Sequence, residues 1–252
     1  GEPPQVDGQL SVVTPLERIR IEKAAADCGF EREAVLSEHG QLELRSATFP
    51  EIVWVRVVTP FGYQLTASLP SLLTTGSGGG ELLVEGIEQL YRALQQAAAT
   101  ARTMPNRVAD QFRAKTQALP KTTEAERLVV QRVGQDLFRS ALLDYWQGRC
   151  CVTGLAMPSL LRASHIKPWA KCASDNERLD VFNGLLLAPH LDALFDGGWI
   201  SFSDQGGMLV SKQLSAAARA QLGIIPGWSI QGLKSAHMGY LAHHREHEFR
   251  HG

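Results

Sequence analysis

The stretch RASHIKPWAKCASDNERLDVFNGLLLAPHLDALFDGG, residues 162–198, decides the fold of the C-terminal half of this chain. It contains two short apolar runs, one around His165 and one after Asn183, separated by a long polar loop. A segment with helical periodicity follows. Pro189 suits the first position of that helix, and the double glycine at 197–198 ends it. We therefore predict a strand, a loop, a second strand and a short helix.

The same stretch brings together a base, an amide and two carboxylates. Asp192 and Asp196 are four residues apart, so their side chains lie on one face of the predicted helix. Two carboxylates near a helix C-terminus repel each other and the helix dipole unless a cation lies beside them, and a hard divalent ion accepts such oxygens. If the strands pack on this helix, His165 lies over it and Asn183 hydrogen bonds the imidazole from behind. A neutral imidazole beside a metal-bound phosphate accepts a proton from water near pH 7.

Four motifs in this region carry a family resemblance: C-x-T-G at 151–154, ASHI-x-PW at 163–169, NGLLL at 183–187 and LFD-x-G at 194–198. With these motifs the chain resembles the HNH (ββα-metal) endonucleases, in particular a restriction-endonuclease-like subgroup. The resemblance covers roughly 125–252 and includes the ending GYLAHHREHEFR. It implies a metal-dependent enzyme that hydrolyses DNA phosphodiester bonds in restriction or anti-phage defence.

The resemblance also implies roles for individual residues. His165 takes the position of the general base, and Asn183 takes the position of the residue that orients this base. Asp192 and Asp196 take the positions of metal ligands. Two departures stand out: Ser164 occupies the position before the base where many relatives carry a ligand, and the third motif position is Asp instead of His. Because carboxylates are hard ligands, the expected cofactor is one Mg²⁺ or Mn²⁺ ion and not zinc.

Further candidates follow from the same region. His190 is a rival metal ligand, although two positions from Asp192 it points off another side of the helix. Only Cys151 stands where relatives carry a zinc knuckle, so no structural zinc is expected. Four basic residues lie where a DNA backbone would pass, and these candidate DNA contacts are Arg162, Lys167, Lys171 and Arg178.

Charge and composition exclude some classes of protein. The net charge of −1 over 252 residues argues against a protein that coats nucleic acid by bulk electrostatics. Positive charge is nevertheless concentrated in 102–178, which holds nine arginines and four lysines against seven acidic residues. Because the sequence has neither a secretory apolar region nor a run long enough to span a bilayer, we expect a cytoplasmic protein without a membrane partner.

The rest of the chain predicts an α+β fold in two parts. Thr14, Pro15 and Gly29 delimit a first helix, and three alternating segments and an Ala- and Gln-rich helix from Leu82 to about Thr103 follow. A long amphipathic helix opens the C-terminal part at Thr122 or Thr123. Its apolar stripe comprises Leu128, Val129, Leu137, Phe138, Leu142 and Trp146. The predicted organisation is a disordered leader (1–12), a small α+β domain (13–103), a linker (104–122) and an HNH nuclease domain with flanking helices (123–252).

Two functions stay open at this point. The leading one is the endonuclease, with DNA as partner and the N-terminal domain supplying target recognition, a homodimer contact or a contact with a defence-system protein. The alternative is a non-catalytic DNA- or protein-binding module on a degenerate HNH scaffold. Ser164, the missing zinc knuckle and the near-neutral charge favour that alternative. The histidines of 237–251 are expected on an exposed helix.

Overall fold

The computed structural model describes residues 13–58, 60, 62–73 and 80–251. The predicted leader and most of the glycine-rich stretch, 74–79, lie outside the described residues. Helices and strands are mixed throughout, which confirms the α+β expectation. The chain divides into two compact units, 1–101 and 102–252. In the described part, no helix is long and apolar enough to cross a membrane.

The first unit is an antiparallel meander with two helices. Its strands lie in chain order in one sheet: β1 (Val35–Leu36), β2 (Leu42–Leu44), β3 (Val53–Val58), β4 (Gly62–Ala67) and β5 (Glu81–Glu85). Helix α1 (Pro15–Cys28) precedes the sheet and α2 (Gly86–Arg102) follows it. As predicted, the Thr14 side chain accepts the Glu17 N–H at 3.2 Å and Gly29, at φ 110°, ends α1.

Both helices and the sheet share one hydrophobic core. Buried side chains include Ile21 and Ala24 of α1, Leu90 and Leu94 of α2, and Val53 of β3. The unit therefore forms a core of its own.

The start of the second helix differs from the prediction. Residues 81–85 pair with β4 as an edge strand instead of opening the helix at Leu82. Gly86, at φ 74°, makes the turn from strand to helix, a backbone conformation that favours glycine.

The second unit contains a hairpin and a short helix held between longer helices. Its elements are α3 (Pro105–Thr116), α4 (Glu124–Tyr145), β6 (Arg162–His165), α5 (Asp175–Arg178), β7 (Gly184–Leu187), α6 (Pro189–Asp196), β8 (Ile200–Phe202), β9 (Met208–Val210), α7 (Ala216–Gln221) and α8 (Ser235–His243), followed by one π-helical turn at His244–Glu248. β6 pairs with β7 and β8 with β9, both antiparallel.

The stretch interpreted as a linker, 104–122, holds helix α3. Pro105 takes the first helical position, where its missing N–H is no loss, so it begins a helix instead of breaking one. Val108, Ala109 and Phe112 are buried in the core of the second unit. The polar residues between them form the exposed face of an amphipathic helix.

Helix α4 begins as predicted and packs with its later turns. Thr123 and Glu126 form a capping box at its start. Phe138 and Leu142 are buried, whereas Leu128 and Val129 are 58% and 54% exposed. The predicted stripe is therefore correct where β6 and β7 pack on the helix, and its first two turns extend beyond that contact.

Candidate active site

The quoted stretch folds as the predicted hairpin and helix. His165 pairs with Gly184 and Ser164 with Leu185 across β6 and β7. Because β7 leads directly into α6 through Ala188, the helix packs back against β6. The loop 166–183 leaves β6 immediately after His165 and returns at Asn183, so both motif residues stand at the ends of the same loop.

His165 has one nitrogen engaged and one free. Its Nε2 lies 2.8 Å from the backbone oxygen of Arg178. A carbonyl only accepts hydrogen bonds, so Nε2 carries the proton and the neutral ring keeps its lone pair on Nδ1. Among the described residues Nδ1 has no hydrogen-bond partner, and it is not sealed from solvent. The free nitrogen is therefore available to water.

The imidazole is held between two aromatic rings. It stacks on Phe138 of α4, with ring centroids 3.8 Å apart and planes 13° from parallel. Trp169 meets it edge-on at 5.7 Å and 88°. Burial among these rings lowers the pKa of His165, and the hydrogen bond with the Arg178 carbonyl opposes the shift. At neutral pH the ring is therefore in its neutral form.

Asn183 has a different contact set from the one expected. Its fully buried side chain accepts the Lys167 N–H at 2.8 Å and donates to the carbonyls of Lys167 at 3.2 Å and Glu177 at 3.1 Å. Its amide therefore fixes the backbone of the loop, and the imidazole is oriented by the Arg178 carbonyl instead. The expected contact between Asn183 and the ring is corrected accordingly. A backbone carbonyl as the orienting group leaves no signal in the sequence.

The two aspartates lie on α6 in different environments. Asp192 is half-buried, and the buried Ser164 side chain lies near its carboxylate. Burial raises the pKa of Asp192 and the charge of Asp196 adds to the shift, while Ser164 and Arg162 oppose it. Asp196 is exposed at the last position of the helix. His190 lies on the first turn, partly exposed.

β6 divides the candidate residues between its two faces. Neighbouring strand residues point to opposite sides, so Ser164 faces Asp192 of α6 while the ring of His165 packs on α4. The residue that departs from the family pattern is thus the one on the side of the carboxylate.

The donor set suits a hard cation with few protein ligands. Among the described residues, no three His, Cys, Asp or Glu side chains are grouped as a metal site. Asp192 and Asp196 nevertheless interact electrostatically. Mg²⁺ is commonly bound by one or two carboxylates, with waters and substrate phosphates completing its shell. The residues present therefore fit magnesium better than zinc.

The four basic candidates differ in what they contact. Lys167 lies 3.1 Å from Glu177, and Lys171 forms an ion pair with Glu248. Arg162 is exposed beside Asp192.

Arg178 holds the loop together. Its guanidinium donates to the carbonyls of Trp169 and Cys172, at 3.3 and 3.0 Å, and to the Asp175 carboxylate at 3.0 Å. The same residue thus shapes the loop through its side chain and holds His165 through its backbone.

A hairpin followed by a short helix, with a histidine at the end of the first strand, defines a ββα nuclease domain. In agreement with this class, residues 150–203 match the family model HNH endonuclease, so the C-terminal half of the chain carries an HNH domain. The match spans β6 to β8 with the loop and α6 between them. No curated protein matches the chain significantly.

Proposed function

We propose that this chain is a divalent-metal-dependent endonuclease that hydrolyses DNA phosphodiester bonds with His165 as general base. The observation that carries the proposal is the state of the imidazole: Nε2 is engaged by the Arg178 carbonyl, while Nδ1 has no partner among the described residues and is not sealed from solvent. A general base needs an unprotonated nitrogen aimed at the attacking water, and burial keeps this ring neutral by lowering its pKa.

In this reaction a water molecule loses a proton to Nδ1 as its oxygen attacks the phosphorus. The resulting imidazolium keeps its Nε2–H bond to the Arg178 carbonyl, so the developing positive charge faces a fixed acceptor. Asn183 acts one step further away, because it holds the loop that presents this carbonyl. The P–O bond to the leaving oxygen then breaks.

Asp192 and Asp196 would hold the divalent cation, with His190 as a weaker third candidate. When bound, such a cation neutralises charge on the scissile phosphate and on the leaving oxygen. Support comes from Asp192, whose raised pKa reflects burial together with the nearby charge of Asp196. A cation beside the pair would oppose both effects and lower the pKa of the carboxyl.

Of the four basic candidates, Arg162 would contact DNA most directly, because it is exposed beside the aspartates. Lys167 and Lys171 already pair with glutamates, so each would contact phosphate only by exchanging that partner. Arg178 would act on DNA indirectly, through the loop that it organises.

A role in restriction or anti-phage defence, in the cytoplasm, is part of this proposal. The N-terminal unit has its own hydrophobic core, which suits a module that selects the target DNA, pairs two copies or binds a partner protein. Expression in cells challenged with phage should lower plaque counts, and His165→Ala should restore them. Equal plaque counts for both proteins would argue against the defence role alone.

The alternative is a non-catalytic DNA- or protein-binding module. Two observations favour it: Ser164 stands where relatives carry a ligand, beside Asp192, and two basic side chains pair within the chain. This alternative predicts DNA binding that is independent of metal and unaccompanied by cleavage.

The deciding experiment is cleavage of supercoiled plasmid and of modified and unmodified phage DNA with Mg²⁺, Mn²⁺ or EDTA. Cleavage should require metal, and His165→Ala should reduce it by about 10²-fold or more. His39→Ala is the matched control, because His39 is an exposed histidine of the other unit. Full activity of folded His165→Ala would remove His165 as the base, and metal-independent binding without cleavage would favour the alternative.

A further inference from the structure

The catalytic candidate packs on a helix that lies outside the segment matching the family. Helix α4 ends at Tyr145, whereas the match begins at residue 150. Phe138 of this helix makes the flat contact with His165. We infer that Phe138 is a positioning residue, whose ring fixes the plane of the imidazole and thereby aims Nδ1 at the attacking water. This inference rests on the proposed function of His165.

One hydrogen bond does not by itself fix the plane of the ring. The bond from Nε2 to the Arg178 carbonyl holds one atom of the imidazole, and the ring is still able to turn about that contact. The χ2 torsion of histidine is broad, so the side chain supplies little resistance of its own. A parallel ring at 3.8 Å removes this freedom, because any turn would separate or overlap the two faces.

Two glycines open the space in which this stack forms. On α4, Gly134 is one turn before Phe138, and a Cβ there would lie 2.6 Å from the Trp169 ring. On β7, a Cβ at Gly184 would lie 2.5 Å from Cζ of Phe138. One face of α4 thus admits Trp169 and presents Phe138, so it contributes to both aromatic contacts of His165.

The stack also bears on the protonation of the base. An aromatic face attracts a cation, which favours imidazolium, but it also excludes water, which favours the neutral ring. Burial is the dominant cause of the lowered pKa of His165. Replacing Phe138 by a smaller, non-planar side chain should therefore loosen the ring and raise its pKa towards the ordinary value.

Phe138→Leu is the test variant, because leucine keeps an apolar side chain and loses the flat face. Tyrosine is unsuitable, since its hydroxyl would project from Cζ into Gly184. Leu142→Val is the matched control: Leu142 is buried one turn further along α4 and also lies against Gly184. If Phe138→Leu does not fold, Phe138→Met takes its place, because a flexible thioether fills the same space without a plane.

The first readout is the NMR spectrum of the imidazole, which needs neither metal nor DNA. In the wild-type protein the ring current of Phe138 should shift the His165 carbon-bound protons upfield, with the signals assigned by their loss in His165→Gln. The shift should disappear in Phe138→Leu and persist in Leu142→Val. A wild-type spectrum without the shift would overturn the inference.

The second readout is steady-state cleavage by the full-length protein. Phe138→Leu should lower kcat by about tenfold to 10²-fold, with KM changed less than about twofold, because misplacement of the base affects the chemical step and not DNA binding. The acidic limb of its pH profile should move to higher pH. Leu142→Val should match the wild type in both respects.

The two proposals fail in different ways. If folded Phe138→Leu and the wild type cut with equal kcat, the role of Phe138 is refuted and the proposed function stands. If the wild type shows the ring-current shift and cuts no DNA under any metal, the proposed function is refuted, and the positioning role with it.

Discussion

Asn183→Ala tests how far the stability of the loop 166–183 depends on the Asn183 side chain. In the structure the Asn183 amide makes three hydrogen bonds to backbone groups, two of them to Lys167 and one to Glu177. The side chain is fully buried, so water does not replace these bonds when the amide is removed. Alanine therefore leaves the Lys167 N–H without a partner, whereas the carbonyls of Lys167 and Glu177 keep longer bonds from the Cys172 thiol and the Asp180 N–H.

The expected loss of stability follows from these contacts. A buried polar group without its partner costs about 1–3 kcal/mol. One such group and two weakened carbonyls predict a decrease of about 2–4 kcal/mol in the free energy of unfolding of the second unit. A typical domain is stable by about 5–15 kcal/mol, so the variant should fold but with a loosened loop. Because Arg178 follows Glu177 directly, the carbonyl that holds His165 should move with it.

Two measurements check this prediction. Urea unfolding should show the decrease in stability, and hydrogen exchange should show that the Lys167 amide loses its protection. Asn176→Ala is the matched control: Asn176 is an exposed asparagine of the same loop that accepts one bond from Arg113, at 2.6 Å. Its cost should stay below about 1 kcal/mol. If Asn183→Ala costs no more than Asn176→Ala and keeps the Lys167 amide protected, the proposed role of the asparagine is refuted.

Three further predictions concern charge and pH. Asp192→Asn and Asp196→Asn should each raise the Mg²⁺ concentration needed for half-maximal plasmid nicking by about tenfold or more, and an unchanged metal titration would contradict their role as ligands. Burial lowers the pKa of His165, so the acidic limb of the pH profile of kcat/KM should have its midpoint below the ordinary histidine pKa of about 6.5. A midpoint above that pKa would contradict a buried base. His237 is fully buried and its pKa is lowered to about 4. Between this value and the ordinary one of about 6.5, the unfolded chain therefore binds a proton that the folded chain does not bind. The contribution of His237 to the free energy of unfolding is therefore complete above about pH 6.5 and decreases as the pH falls. By pH 4.5 the decrease should reach about 2.5 kcal/mol. Urea unfolding at pH 7 and pH 4.5 should show this slope in the wild type and a smaller one in His237→Gln, whereas equal slopes would contradict it.

Local signals in the sequence were sufficient for the elements of the site. Pro189 and the double glycine gave the bounds of α6, and two short apolar runs gave β6 and β7. These elements depend on side chains within a few residues of each other, which is the range at which capping and periodicity act. The α+β class and the HNH domain followed from the same signals together with the family motifs.

Contacts between distant residues were beyond that range. The partner of Asn183 is a loop backbone and not the imidazole, because hydrogen bonds to main-chain atoms depend on a path that the sequence does not display. Helix α3 was missed because its two flanking prolines and polar face resemble a linker, while its buried residues meet their core only in three dimensions. The pairing of Lys171 with Glu248, 77 residues later, has the same origin.

The tail of the chain explains the double glycine of the opening stretch. Gly198 has φ 73°, and a Cβ there would overlap the carbonyl oxygen of Glu248. Glu248 ends the π-helical turn that begins at His244. The end of α6 is therefore shaped to receive the C-terminal segment, which lies beyond the residues that match the family.

His244 in that segment shows how the proposed base, His165, differs from a buried histidine with all its ring nitrogens engaged. Its ring stacks on Phe195, with centroids 3.9 Å apart and planes 7° from parallel, and its Nε2 donates to a backbone carbonyl at 3.0 Å. His165 has the same two kinds of contact, with the Phe138 ring and the Arg178 carbonyl. Burial lowers the pKa of both rings. They differ at Nδ1: in His244 it accepts the Ser201 hydroxyl at 2.8 Å, whereas in His165 it has no partner among the described residues. Stacking and a lowered pKa therefore do not identify the base, because the structural ring has both. The nitrogen without a partner is what favours His165 as the proposed base, because only an unengaged nitrogen is able to take a proton from water.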